Sequence, residues 1–175
     1  MTFRNWSSGD LDLAIKLWGD PEVMTFIDTR GGLTREQAAI KLTSEIECQK
    51  KFSIQYWPVF EKSTGDFIGC CGLKPWTHSA HQCPELGFHL VKEKWGQGFA
   101  KEVAKAAIRF AAEELNASKV MAGHHPGNIG SQKILLSLGF QFLENVYFKP
   151  TGLMHPSYVL RLNLKREAAH LNQVT

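Results

Sequence analysis

Long apolar runs are missing from this sequence: no stretch of about 18 consecutive apolar residues occurs, so a membrane-spanning helix is not expected. Cysteine is scarce. Cys48, Cys70, Cys71 and Cys83 include no Cys-x-x-Cys pair, which argues against a disulfide scaffold or a paired-cysteine zinc site and points to reduced thiols. Met1 to Trp6 has no basic-then-apolar signal pattern, and a cytoplasmic location is expected. A dominant sign of charge is lacking too. Twenty Lys and Arg stand against 17 Asp and Glu, a formal net charge of +3 with no basic stripe, so neither a nucleic acid nor a membrane is expected as partner.

What is present suits one globular core. Hydrophobic residues make up 43% and charged residues 21% of 175 positions, and at this length roughly 70% of the unfolded surface can be buried. No repeat or linker argues for a second domain. A single domain over 1–165 is expected, with a frayed tail over 166–175.

The pattern opens with a strand at the N-terminus and a helix from about Asp10 to Trp18, capped by Ser8, with Leu11, Ala14, Leu17 and Trp18 on one stripe. Gly31-Gly32 marks a flexible loop before a second helix. That helix starts at Thr34, whose spacing to Gln37 fits a capping box. Strands are expected over Phe52–Phe60, Phe67–Leu73 and Glu85–Val91, the first two joined by a Gly65-Asp66 turn. Phe99 to Leu115 is dense in helix formers, with Val103, Ala107, Phe110 and Ala111 on one face. A strand over Lys119–His124, a helix from Asn128 to Leu138 stopped by Gly139, and strands over Phe140–Phe148 and Met154–Leu162 complete the chain. A strand, long helix, strand unit needs a right-handed crossover between parallel strands, whereas the flanking hairpins pair antiparallel. The fold class is therefore α+β, a mixed and mostly antiparallel central sheet with helices on both faces.

Trp95-Gly96-Gln97-Gly98-Phe99-Ala100 lies between a strand and the strongest helix. The first N–H groups of a helix lack intrahelical partners and sit at the positive end of its dipole, so glycines there let a diphosphate approach the backbone. The glycine is followed by Phe99 rather than Lys-Ser/Thr, which excludes a P-loop. Lys101 and the His124-His125 strand end fit a Rossmann fingerprint poorly.

Gly98-x-Ala100, the Ala-rich helix, Pro126-Gly127-Asn128-Ile129-Gly130-Ser131 and Leu138-Gly139-Phe140 together resemble the acetyl-CoA-binding core of the GNAT N-acetyltransferase superfamily. Glu85-Leu86-Gly87-Phe88-His89-Leu90, Asp20-Pro21-Glu22-Val23 and Phe67-Ile68-Gly69 are similar to the branch containing the RimJ/RimL ribosomal-protein N-terminal acetyltransferases. This resemblance implies the GNAT-type acyl-CoA N-acyltransferase fold and acetyl-CoA as co-substrate, without metal. It implies that the strands flanking the long helix splay and bind the pantetheine arm through Phe88, His89, Leu90 and Val91. Diphosphate contacts then fall on Gly96, Gln97, Gly98, Phe99, Ala100 and Lys101, and Asn128 contacts the pantetheine or adenosine portion. The superfamily's usual Gln or Arg three positions before the second glycine is replaced by Trp95.

Acyl transfer from a thioester to an amine needs an uncharged amine, a stabilised oxyanion and a proton for the leaving thiolate. The resemblance places Glu85 at the acidic position that takes the amine proton through water, and Ser131 near the sulfur. The tyrosine many relatives use as general acid is replaced by Leu135. The oxyanion is expected at the N–H of Leu90 or Val91. Trp57, Trp76 and Tyr158 are expected to line the acceptor pocket, each with simple core packing as the alternative. His78, His81 and Cys83 lie close in sequence but lack metal-site spacing. The expected partner is an amine, foremost a protein or peptide N-terminus. Small amines, including polyamines, antibiotics and amino-acid-like compounds, a non-catalytic acyl-CoA-binding domain, and a monomeric or homodimeric state all stay open.

Overall fold

The computed structural model describes residues 1–75 and 83–162. Trp76, His78 and His81 and the tail over 166–175 lie outside the described residues. Seven strands, β1 (Thr2–Phe3), β2 (Tyr56–Phe60), β3 (Phe67–Pro75), β4 (Pro84–Leu90), β5 (Lys119–Gly123), β6 (Gln141–Phe148) and β7 (Leu153–Arg161), form one sheet in the order β1-β2-β3-β4-β5-β7-β6. Every neighbouring pair is antiparallel except β4 and β5. The helices are α1 (Leu11–Trp18), α2 (Pro21–Met24), α3 (Arg35–Phe52), α4 (Phe99–Glu113) and α5 (Ile129–Ser137).

Local chemistry accounts for most boundaries. Thr34 Oγ1 accepts from Gln37 N–H at 3.3 Å and Gln37 Oε1 accepts from Thr34 N–H at 2.9 Å, the expected capping box. Asn128 Oδ1 accepts from Ser131 N–H at 3.0 Å to start α5, and Gly139 leaves it at a φ of 89°. Several expectations need correction. Phe52 ends α3 rather than starting a strand, because Ser53 adopts the left-handed stop at φ 58° and β2 begins only at Tyr56. Asp20-Pro21 opens the short α2, with Asp20 Oδ1 accepting from Glu22 N–H at 2.8 Å. Gly32 is packed, not loosely placed: a Cβ there would lie 2.2 Å from the Gly19 carbonyl oxygen.

Strand alternation sends successive side chains to opposite faces and divides the core. Cys71, Leu73, Leu86 and Leu90 pack against α4, whose Val103, Ala104, Ala107 and Ala111 are all buried. Cys70, Tyr56 and Phe67 pack with Trp6, Leu17, Trp18 and Leu42 beneath α1 to α3. Phe110, expected on the buried stripe of α4, is only half-buried, and Ala104 takes its place in the core. The N-terminus is tied down by a bidentate pair, Arg4 to Asp10, with both contacts at 2.7 Å.

Candidate active site between two strands

Strands β4 and β5 run parallel, joined through the long helix α4, and meet at one bridge, Glu85 opposite Met121. Beyond it they part. Val91 N–H donates to Ile68 O at 2.9 Å, in register with the β3–β4 ladder. Hydrogen-bonded and non-bonded positions alternate in an antiparallel pair. The backbone groups of Gly87, His89 and Val91 are therefore turned to β3, and those of Phe88 and Leu90 to the gap beside β5. Trp95 Nε1–H donates to Leu90 O at 2.8 Å, so the gap presents Phe88 N–H and C=O and Leu90 N–H.

The loop after β4 leads into α4 at the mouth of this gap. Gly96 and Gly98 take φ values of 71° and 85°, and nothing lies within 4 Å of a Cβ built on either. This is a conformation that side chains resist and an open cradle at the first N–H groups of α4, those of Phe99, Ala100 and Lys101. Gln97 Nε2 donates to Glu93 O at 2.6 Å. Lys94 reaches Glu61 at 2.9 Å and Asp66 at 3.2 Å, and Lys92 reaches Glu22 at 2.6 Å, which pins the loop without occupying the cradle. Across the gap, Asn128 and Ser131 open α5. The carbonyl of Asn128 is spent on Ser131 N–H, and its amide nitrogen has no recorded protein partner among the described residues.

Glu85, Gly87 and His89 alternate onto the face beneath α1 to α3, where sequence reasoning missed several partners. Tyr56 lies across Gly87, where a Cβ would come 2.3 Å from its ring, and makes an edge contact with His89 at 5.7 Å. Lys74, cross-strand from Glu85, stands 4.6 Å above the Tyr56 ring and 2.6 Å from Glu45. Glu45 is fully buried in α3 and also accepts Tyr56 N–H at 3.0 Å. Trp18 Nε1–H donates to His89 Nδ1 at 3.2 Å. An indole is a donor only, so His89 is the neutral tautomer with its proton on Nε2, and burial together with Lys41 and Lys74 pushes its pKa down. Burial pushes the Glu85 carboxyl up to about 7, opposed by Lys74. No hydrogen bond or ion pair among the described residues engages the Glu85 carboxylate.

Of the aromatic residues expected around the acceptor, Trp57 and Tyr158 lie among the described residues. Tyr56 occupies the α1–α3 face, so Trp57 emerges on the other, packed on Phe110 at 5.0 Å in an apolar groove of about 390 Å³. Tyr158 is buried on β7, its hydroxyl 3.3 Å from His124 Nε2 and 3.4 Å from Gln132 Nε2. Trp76 lies outside the described residues. The cysteines Cys48, Cys70, Cys71 and Cys83 are not disulfide-bonded, and no cluster of metal-ligating side chains occurs among the described residues.

A sheet opened between its parallel strands, with a glycine-cradled helix start at the opening, defines an acyl-CoA N-acyltransferase. The family model for the GNAT acetyltransferase domain matches residues 1–141, and the chain belongs to that family. It is an acetyl-CoA-dependent N-acetyltransferase. It is 29% identical to an uncharacterized N-acetyltransferase, p20, of Bacillus licheniformis over 171 residues, covering 97% of this chain and 95% of the relative. The ribosomal-protein-S5-alanine acetyltransferase of Vibrio fischeri has a similar fold, with a TM-score of 0.69 at 20% identity over 91% of both chains. The spermidine N-acetyltransferase of Vibrio cholerae, solved with CoA and spermine, superposes with a TM-score of 0.74 at 16% identity over 91% of this chain and 94% of that one. Among the described residues no helix is long and apolar enough to cross a membrane.

Proposed function

We propose that the acetyl thioester lies in the gap between β4 and β5 and that a primary amine reaches it from the α1–α3 face, with Glu85 as base. The observation that carries this reading is the parting of β4 from β5 just past Glu85, beside the open Gly96–Gly98 cradle. The cradle and the N–H groups of Phe99, Ala100 and Lys101 take the diphosphate. Phe88 pairs with the pantetheine amides as a missing strand would. Val91 N–H is engaged by Ile68, so Leu90 N–H is the donor for the thioester oxygen.

Transfer is direct. The neutral amine forms a C–N bond to the thioester carbon, the oxygen gathers negative charge at Leu90 N–H, and collapse breaks the C–S bond. The amine's proton passes through water to Glu85, and the Ser131 hydroxyl gives its proton to the CoA thiolate and regains one from water. A carboxyl near pKa 7 suits the base, being about half ionised at neutrality and basic enough to accept a proton. The acceptor we favour is a protein or peptide N-terminus, a reading supported by the likeness of Glu85–Leu90 and its following loop to the RimJ/RimL branch. A small amine is the second reading, favoured by the half-buried position of Glu85.

The test is the pH profile of CoA release in the presence of acetyl-CoA and a panel of N-terminal peptides and small amines. The rate constant kcat/KM should rise with pH through about 7 as Glu85 ionises. Glu85→Gln should remove that limb and lower kcat by about 100-fold. An unchanged profile in the variant would exclude Glu85 as the base.

A further inference from the structure

On the acceptor face, Lys41 forms no ion pair among the described residues. Lys41, half-buried in α3, places its ammonium 4.9 Å over the Trp18 ring. Trp18 in turn donates to His89. Every carboxylate whose charge reaches Lys41 is committed elsewhere. Glu45 is held by Lys74 and by Tyr56 N–H. Asp28 is held by Arg30, whose Nε donates to it at 2.9 Å. No ion pair to Lys41 is formed among the described residues, and burial pushes its ammonium below the ordinary lysine range. The half-buried side chains of this face therefore include a cation, Lys41, and a carboxylate, Glu85, that form no ion pair among the described residues.

Both lysines converge on His89, Lys41 through Trp18 and Lys74 through Tyr56. A polyamine entering this face would bring cations toward cations. An amine that carries a carboxylate would instead direct its nitrogen to the gap near Glu85 and its anion to Lys41, restoring the partner that the buried ammonium lacks.

We infer that the acceptor is an amine with a neighbouring carboxylate, bound through Lys41 over the Trp18 ring, so that this enzyme selects anionic or zwitterionic amines over polyamines. The inference deepens the acetyltransferase reading and rests on it. The shared chemistry is a carboxylate near a primary amine, from a free α-amino acid or from an acidic residue beside a peptide N-terminus.

The test is binding of amines to the CoA-saturated protein by calorimetry, with CoA release from acetyl-CoA measured beside it. L-phenylalanine is compared with its amide, an Ala-Asp peptide amide with its Ala-Asn counterpart, and spermidine with both. The carboxylate member of at least one pair should bind at least tenfold more tightly. The first pair responding alone identifies a free amino acid, and the second alone an acidic N-terminus. Lys41→Met should collapse the preference toward one, and Lys41→Arg should restore most of it. Equal binding within both pairs, or tightest binding of spermidine, would overturn the inference while turnover of any amine left the acetyltransferase reading standing. Loss of acetyl-CoA binding altogether would instead strike at that reading. The ratios in the unmodified protein decide the matter even if Lys41→Met folds poorly.

Discussion

On the α4 face of the sheet, Val103, Ala104, Ala107 and Ala111 lie buried against Ile68, Cys71, Leu73 and Leu86. On the α1–α3 face, the buried carboxylates Asp10 and Glu45 are joined by Lys41, Lys74, Glu85 and His89. Small side chains let α4 approach the sheet closely and bring its N-terminus to the gap, where the proposed cofactor contacts are backbone groups. Titratable side chains gather on the other face, where the proposed mechanism orients the amine and takes its proton. The difference teaches that the two faces of one sheet carry different chemistry, apolar packing on one and titratable groups on the other, and substitutions should separate the cofactor and acceptor roles proposed for them.

The largest effect is expected at Glu45. Glu45→Leu removes the partner of Lys74 and the acceptor of Tyr56 N–H from a fully buried site, and stability should fall by about 4 kcal/mol. Acetyl-CoA affinity of the folded fraction should be unchanged, and denaturant unfolding with a parallel titration reads both. Gly98→Glu should do the reverse, weakening acetyl-CoA about 100-fold, or about 2.7 kcal/mol, through bulk and like charge in the cradle while the unfolding midpoint moves little. A variant that damaged both properties together would break the division between the faces.

The smallest effect sharpens it through pH. The Glu85 carboxyl sits at about 7 in the folded chain, above the ordinary 4.5, so the folded state holds a proton that the unfolded state releases between these values. Stability from this group is present below about 4.5 and is lost as pH rises through about 7. Unfolding at pH 5 and pH 8 should differ by about 2 kcal/mol more in the unmodified protein than in Glu85→Gln. Asp10, held at about 2 by Arg4, contributes with the opposite sign, its stabilisation present above 3.8 and lost as pH falls through about 2.

Much of the fold was legible because its signals are local. The Thr34–Gln37 box, the Asn128 cap, the alanine-rich α4 and the period-2 strands each act within a few residues, and they gave the mixed sheet with helices on both faces. Phe52 was misread because an apolar residue at a helix end looks like a strand start, and Ser53, not glycine, makes the left-handed turn. Glu85 stood out by its place before Gly87 and His89. Lys41, Glu45, Tyr56 and Lys74 did not, since each alone is an ordinary helix or strand residue. One step of strand alternation from Tyr56 puts Trp57, expected at the acceptor, on the face that packs against Phe110.

By itself the sequence determined the element types and the glycine-cradled helix start, since these follow from propensity, capping and motif spacing along the chain, and its motifs resemble the family whose model it matches. Only the tertiary structure decided that β4 and β5 part just past Glu85, and that Lys74 is drawn to Glu45 while Lys41 is left over Trp18. Such charges meet across dozens of residues, and their pairing depends on sheet register and helix packing, which no local pattern encodes.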